Sequence, residues 1–148
     1  LNSLTRKQLI PFDEEMCHVN DYLYLEKMRF EEKLTVVLDL EYTDFFLPAM
    51  TVQPIAENAV RWGITKKKGG GTLTIKSQLT GEEVMISVMD DGAGFDPNEI
   101  RNDGKTHVGI ENVRQRLMLQ CGGTLSISSK KGSGTTVTIR LPQKGRNK

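Results

Sequence analysis

Cysteine is scarce. Only Cys17 and Cys121 occur, far apart and without metal-ligand spacing. A disulfide scaffold is therefore not expected, and a reducing compartment is the default. Net charge is nearly absent as well: 20 Lys and Arg against 19 Asp and Glu leave +1. That balance gives no electrostatic case for a nucleic-acid partner. No apolar run approaches the roughly 20 residues that span a bilayer, and no signal-peptide pattern opens the chain. An initiator Met is missing too, since the first residue is Leu1. The chain is therefore expected to be a fragment, with any membrane segment of its parent outside it. There is no internal repeat and no low-complexity tract beyond one glycine loop.

What is present describes an ordinary soluble domain: 148 residues, 37% hydrophobic and 26% charged. That length can bury a real core. Residues 1–10 read as the end of an element that begins upstream, closed by Pro11. Asp13-Glu14-Glu15 starts a helix, with acids suited to the helix dipole. Met16, Val19, Leu23 and Met28 carry it at helical spacing to about Phe30. Leu34 to Tyr42 reads as a strand. A second helix is expected from Ala49 to Trp62, with Pro54 in an early turn and Gly63 ending it. Lys66 to Gly71 is a basic loop, read as a solvated turn. Thr72 to Leu79 and Val84 to Met89 alternate as an antiparallel pair. The polar segment from Asp96 to Thr106 has little to bury and is expected to be mobile. A third helix is expected to open at Val108 or Gly109 and run through Leu119. Thr124 to Ser129 and Thr135 to Leu141 are the last strands, and residues 143–148 read as a disordered tail. The order predicts an α/β two-layer sandwich. Its mixed, largely antiparallel sheet has about five strands, with helices on one face.

Four clusters interrupt the apolar elements. Asn58 and Arg61, three apart on the second helix, share a face. An amide oxygen there suits a hard cation such as Mg²⁺ and an arginine suits phosphate; an exposed polar face is the plain alternative. Asp90-Asp91-Gly92-Ala93-Gly94 ends a buried strand. It is either a hairpin turn or a backbone that lets a ligand come close. Gly109 sits at the expected mouth of the third helix, where free N–H groups favour an anion. Gly132-Ser133-Gly134-Thr135 feeds the final strand, and by itself is an ordinary hairpin loop.

In this order the clusters resemble the GHKL ATP-binding (Bergerat) fold of histidine kinases, gyrase-type topoisomerases, Hsp90-type chaperones and mismatch-repair ATPases. Tyr22 to Phe30, Pro48 to Val60, Gly109 to Leu117 and Gly134-Thr135 with the terminal Leu141-Pro142 are similar to LytS/YesM-type sensor histidine kinases. The likeness covers about residues 5 to 142. Each box is weak alone and strong in combination.

The resemblance implies a set of roles. Asn58 would bind the Mg²⁺ that bridges the ATP phosphates, with Arg61 nearby. Asp90 would accept from the adenine amino group, with Gly92 and Gly94 letting the backbone pass the base. Residues 96–106 would be the ATP lid, Gly109 and Ile110 would lie beside the phosphates, and Thr135 beside Asp90. It also implies that residues 1–12 end a phosphoacceptor hairpin and linker, that 13–142 form the catalytic domain, and that no catalytic residue lies in this fragment. ATP and Mg²⁺ would be the cofactors. The upstream hairpin, dimeric in the parent, and a response regulator would be the partners. The location would be the cytoplasmic side of a bacterial inner-membrane sensor. Departures from the pattern are Trp62 where His is usual, Asp91 where Asn is usual, and His107-Val108-Gly109 where the box reads Gly-x-Gly. His18 lacks the surroundings of a phosphoacceptor. Two alternatives stand beside the kinase. One is an ATPase of the same superfamily, against which Pro54 stands where those enzymes carry a glutamate one turn before the Asn, and Glu57 points about 100° away from Asn58. The other is a degenerate module that no longer binds nucleotide.

Overall fold

The computed structural model describes residues 9–96 and 104–143, with the side chains of residues 104–108 outside that description. Five strands form the main sheet: β2 (Leu34–Leu40), β4 (Gly71–Thr80), β5 (Glu83–Asp90), β6 (Thr124–Lys130) and β7 (Gly134–Pro142). Their spatial order is β2-β4-β5-β7-β6. β2 runs parallel to β4, and every other pairing is antiparallel. The parallel pair is possible because β2 and β4 are joined by a long crossover that includes a helix. The sheet is thus the mixed, five-stranded one that the strand pattern predicts.

Alternation explains which face is covered. In β5, Val84, Ile86, Val88 and Asp90 are buried while the residues between them are half-buried. The three apolar members join one core with Leu73 and Ile75 of β4 and Val137, Ile139 and Leu141 of β7. That core is completed by α1 (Phe12–Phe30), α2 (Val52–Asn58) and α3 (Gly104–Cys121). A period of two on the sheet meets a period of 3.6 on the helices, giving two layers.

Several boundaries differ from the sequence expectation. Leu9–Pro11 is a short strand, β1, paired antiparallel with Phe46–Pro48, β3. Phe12 then starts α1 fully buried, its ring stacked on Phe45 at 4.5 Å. Residues 9–12 therefore belong to the domain rather than to an upstream helix and linker; residues 1–8 lie outside the described residues. β2 stops at Leu40 rather than Tyr42.

The second helix starts at Val52, not Ala49, because its start is set from outside. Glu15 of α1 is 1% exposed. Its two carboxylate oxygens accept from the backbone N–H groups of Met50, Thr51, Val52 and Gln53 at 2.8–3.1 Å. Those are the donors that a helix start leaves unpaired, and a carboxylate there suits the dipole. Arg116 of α3 holds the same corner, donating to the carbonyls of Ala49 and Met50 at 2.9 and 2.6 Å.

The third helix begins at Gly104 rather than Val108 or Gly109. Gly109 thus lies inside the helix, and the reading of it as a helix mouth with free N–H groups is corrected. Of the segment expected to be mobile, residues 97–103 fall outside the described residues, as do 144–148 of the expected tail.

Candidate functional site

β5 extends its core-facing stripe by one residue, and that residue is Asp90. The strand register places it between Leu73 of β4 and Thr135 of β7. Asp90 is only 9% exposed. Burial pushes its carboxyl up to about 6; the backbone N–H groups of Gly92 and Thr135 and the Lys67 ammonium oppose the rise, and Asp91 adds to it. The Gly92 N–H lies 2.8 Å from Asp90 Oδ1. A carboxylate at the end of an apolar stripe is a pre-aimed acceptor with little competing water.

Asp91 serves a different purpose. Its Oδ1 accepts from the Thr72 N–H at 2.7 Å, and its carbonyl accepts from Lys67 Nζ at 2.7 Å. It ties the end of β5 to the start of β4 and to the basic loop.

The glycines around Asp90 are required by close approach. A Cβ on Gly63 would lie 2.7 Å from Asp90 Oδ1. A Cβ on Gly92 would strike the carbonyl group of Gly63, and one on Gly134 (φ 100°) would strike the carbonyl oxygen of Asp90. Backbone therefore lies against backbone on both sides of the aspartate.

A pocket of about 410 Å³, open solvent at its mouth included, lies over this sheet end between α2, α3, β5 and β7. Asn58, Trp62, Asp90, Gly94, Ile110 and Thr135 line it. The structure thus brings together Asn58, Asp90, Gly94, Ile110 and Thr135, with Gly92 contributing its N–H to Asp90. Gly109 and Arg61 are not on the pocket wall.

Arg61 is displaced by a change of helix type. After Asn58 the chain makes a π turn, Ala59–Gly63, with the Ile64 N–H reaching back to the Ala59 carbonyl. The wider turn of i→i+5 bonding returns Trp62 and Gly63, rather than residue 61, to the face of Asn58. Arg61 instead lines a separate groove with Tyr22, Glu26 and Arg29. Burial pushes the Tyr22 hydroxyl above its ordinary range there, aided by Glu26 and Glu57. Lys66 sits over the Trp62 ring at 5.5 Å, within cation–π reach.

Sequence reading missed Ser129. Its Oγ lies 2.8 Å from Thr135 Oγ1, accepts from the Phe95 N–H at 2.9 Å and donates to the Gly134 carbonyl at 3.1 Å. The available signal was its place as the last core-facing position of β6, after Leu125 and Ile127. Gly63 was read only as a helix stop, and its contact with Asp90 has no local signature.

Among the described residues, no group of three or more His, Cys, Asp and Glu could hold a metal ion. Asn58, whose side chain carries an amide oxygen, is on the pocket wall. That suits Mg²⁺, which takes few protein ligands and completes its shell with phosphate and water.

Comparison with known proteins agrees with this geometry. Residues 47–145 match the family model described as histidine kinase-, DNA gyrase B-, and HSP90-like ATPase. YwpD of Bacillus subtilis is 42% identical over 137 residues, covering 88% of this chain and 49% of that protein. The sensor histidine kinase YesM of Bacillus subtilis is 30% identical over 141 residues, covering 93% of this chain and 24% of that protein. The chain therefore spans half or less of the length of these relatives. The solved histidine kinase AdeS of Acinetobacter baumannii superposes with a TM-score of 0.71 at 20% identity, covering 97% of this chain and 74% of that one. With two-thirds of its length matched by the family model and its sheet end built around a buried aspartate, the chain belongs to the histidine kinase-, DNA gyrase B- and HSP90-like ATPase family.

Proposed function

We propose that this chain binds Mg²⁺-ATP in the pocket above Asp90 and is the catalytic part of a sensor histidine kinase. The observation that carries this is Asp90: a buried carboxylate, hemmed by Gly63, Gly92 and Gly134, aimed into a mostly apolar pocket. An apolar slot with one fixed acceptor suits a flat base that offers an amino group. Gly94 lets the backbone lie beside that base, and Thr135 supplies a hydroxyl next to the carboxylate. Asn58 would hold Mg²⁺, which neutralises phosphate charge when bound. Ile110 brings α3 to the pocket wall, and Gly109, off the wall, is left out. Arg61, on its own groove, is left out of the proposed set.

The γ-phosphoryl group would pass to a histidine on an upstream helical hairpin, in a dimeric parent, and from there to an aspartate of a response regulator. Placement of the domain on the cytoplasmic side of a sensor belongs to the same proposal. No helix among the described residues is long and apolar enough to cross a membrane. For such a transfer the protein's share is positioning and charge neutralisation. The superfamily ATPase alternative is disfavoured because Pro54, one turn before Asn58, has no acid–base group.

Calorimetric titration with an ATP analogue, with and without Mg²⁺, tests the site. Binding is expected, lost in Asp90→Asn and made insensitive to Mg²⁺ in Asn58→Ala. No heat from the unaltered chain at millimolar nucleotide would overturn the proposal. Steady ATP turnover by the isolated chain, abolished in Glu57→Ala, would favour an ATPase instead.

A further inference from the structure

Three neighbouring strands end their core-facing stripes in polar residues. β5 ends in Asp90 after Val88, β7 begins with Thr135 before Val137, and β6 ends in Ser129 after Ile127. Register sets them side by side, Asp90 opposite Thr135 and Thr135 opposite Ser129. Asp90 and Thr135 line the pocket, whereas Ser129 stands behind them.

The hydrogen count at Ser129 is closed. A serine hydroxyl has one proton to give and two lone pairs to receive with. The Phe95 N–H can only donate, so it takes one lone pair at 2.9 Å. The Gly134 carbonyl can only accept, so it takes the proton at 3.1 Å. Either hydroxyl of the 2.8 Å pair with Thr135 Oγ1 can donate, and Thr135 donating is the direction that keeps all three Ser129 contacts. With its proton turned toward Ser129, Thr135 shows the pocket lone pairs alone. Its neighbour Asp90, when ionised, is also an acceptor only.

We infer that Ser129 is a specificity-determining positioning residue, which fixes Thr135 as an acceptor so that the sheet end favours a base with an exocyclic amino group over its oxo counterpart. This rests on the ATP-binding proposal above. An amino group meets these acceptors with N–H donors. An oxo group brings a lone pair against them, and a site built for a donor rejects the analogue that lacks it. Were Ser129 removed, the Thr135 hydroxyl would be free to rotate and donate, and an oxo group would become tolerable.

The test compares affinities for ATP and ITP, each with Mg²⁺. The two differ in the C6 substituent and in the proton that the oxo form carries on the adjacent N1. The N1 difference is the same for every variant, so the change in the ATP/ITP ratio between variants is the readout. The ATP preference is expected to fall roughly tenfold in Ser129→Ala, about the worth of one neutral hydrogen bond. Thr135→Val should lose a similar factor, and the double variant should lose no more than either single one. Ser129→Thr keeps the hydroxyl and should keep the preference. If Ser129→Ala weakens both nucleotides equally and leaves their ratio unchanged, Ser129 only anchors Phe95 and the inference fails while ATP binding stands. If the unaltered chain binds neither nucleotide, both proposals fall together. Should Ser129→Ala not fold, Thr135→Val still decides: an unchanged ratio there overturns the inference.

Discussion

Gly63 lies against the carboxylate of Asp90, so closely that a Cβ at position 63 would sit 2.7 Å from Oδ1. The Gly63 carbonyl also accepts from the Ala93 N–H at 3.0 Å. The π turn after α2 is thus seated directly on the loop that follows β5. Gly63→Ala must push the carboxylate or the turn aside. Overpacking of this kind typically costs about 1–3 kcal/mol, which urea denaturation would register. Nucleotide affinity should fall at least tenfold, because the acceptor moves. Unchanged affinity would show that the Asp90 position tolerates the shift.

Asp90→Asn should stabilise the fold at neutral pH while removing its proposed function. The carboxyl is raised from its ordinary 3.8 to about 6, chiefly by burial. The folded state therefore holds that proton more tightly than the unfolded chain does. The stability it contributes is fully present below about pH 4, is lost as pH rises toward 6, and stays lost above it. The loss is on the order of 2–3 kcal/mol. Asn keeps the oxygen that receives the Gly92 N–H and carries no charge. Melting temperatures should therefore favour Asp90→Asn at pH 7.5 and converge with the unaltered chain near pH 4. A difference that does not change with pH would refute this.

Nucleoside affinity should follow the same titration with the opposite sense. An amino group is best met by the ionised carboxylate. Affinity for adenosine, which has no phosphate to titrate, should be level above about pH 6 and drop roughly tenfold per unit below it, as protonation removes the acceptor form. Equilibrium dialysis across pH 5 to 8 would check it; a flat profile would exclude Asp90 as the ionised reader.

Glu15→Ala on α1 should be strongly destabilising. It strips the acceptor from four N–H groups at the α2 start. Unsatisfied buried donors and a lost cap together cost about 3 kcal/mol. Denaturant midpoints would show it. A loss below about 0.5 kcal/mol, the level of an ordinary surface change, would mean that water replaces the cap.

Much of this was legible from short-range pattern. Alternation in Thr72–Leu79, Val84–Met89, Thr124–Ser129 and Thr135–Leu141 marked the four antiparallel strands to within a residue or two. It also showed Asp90 ending a buried run. The short β1–β3 pair was not legible, because three-residue strands have too few positions to show a period. The α3 start was misplaced for a related reason: Gly104 to His107 carry no apolar periodicity, so the helix became visible only at Val108.

The sequence by itself determined the two layers, the covered face of the sheet and the glycines at 92 and 94 that follow Asp90, since each follows from a neighbour-to-neighbour rule of spacing or backbone freedom. Tertiary structure decided the rest. Whether residue 61 or 62 joins Asn58 depends on i→i+5 bonding, which hydrophobic spacing does not encode. The start of α2 depends on a carboxylate more than 30 residues away in the chain. The contact between the Thr135 and Ser129 hydroxyls exists only once β6 and β7 pair in register.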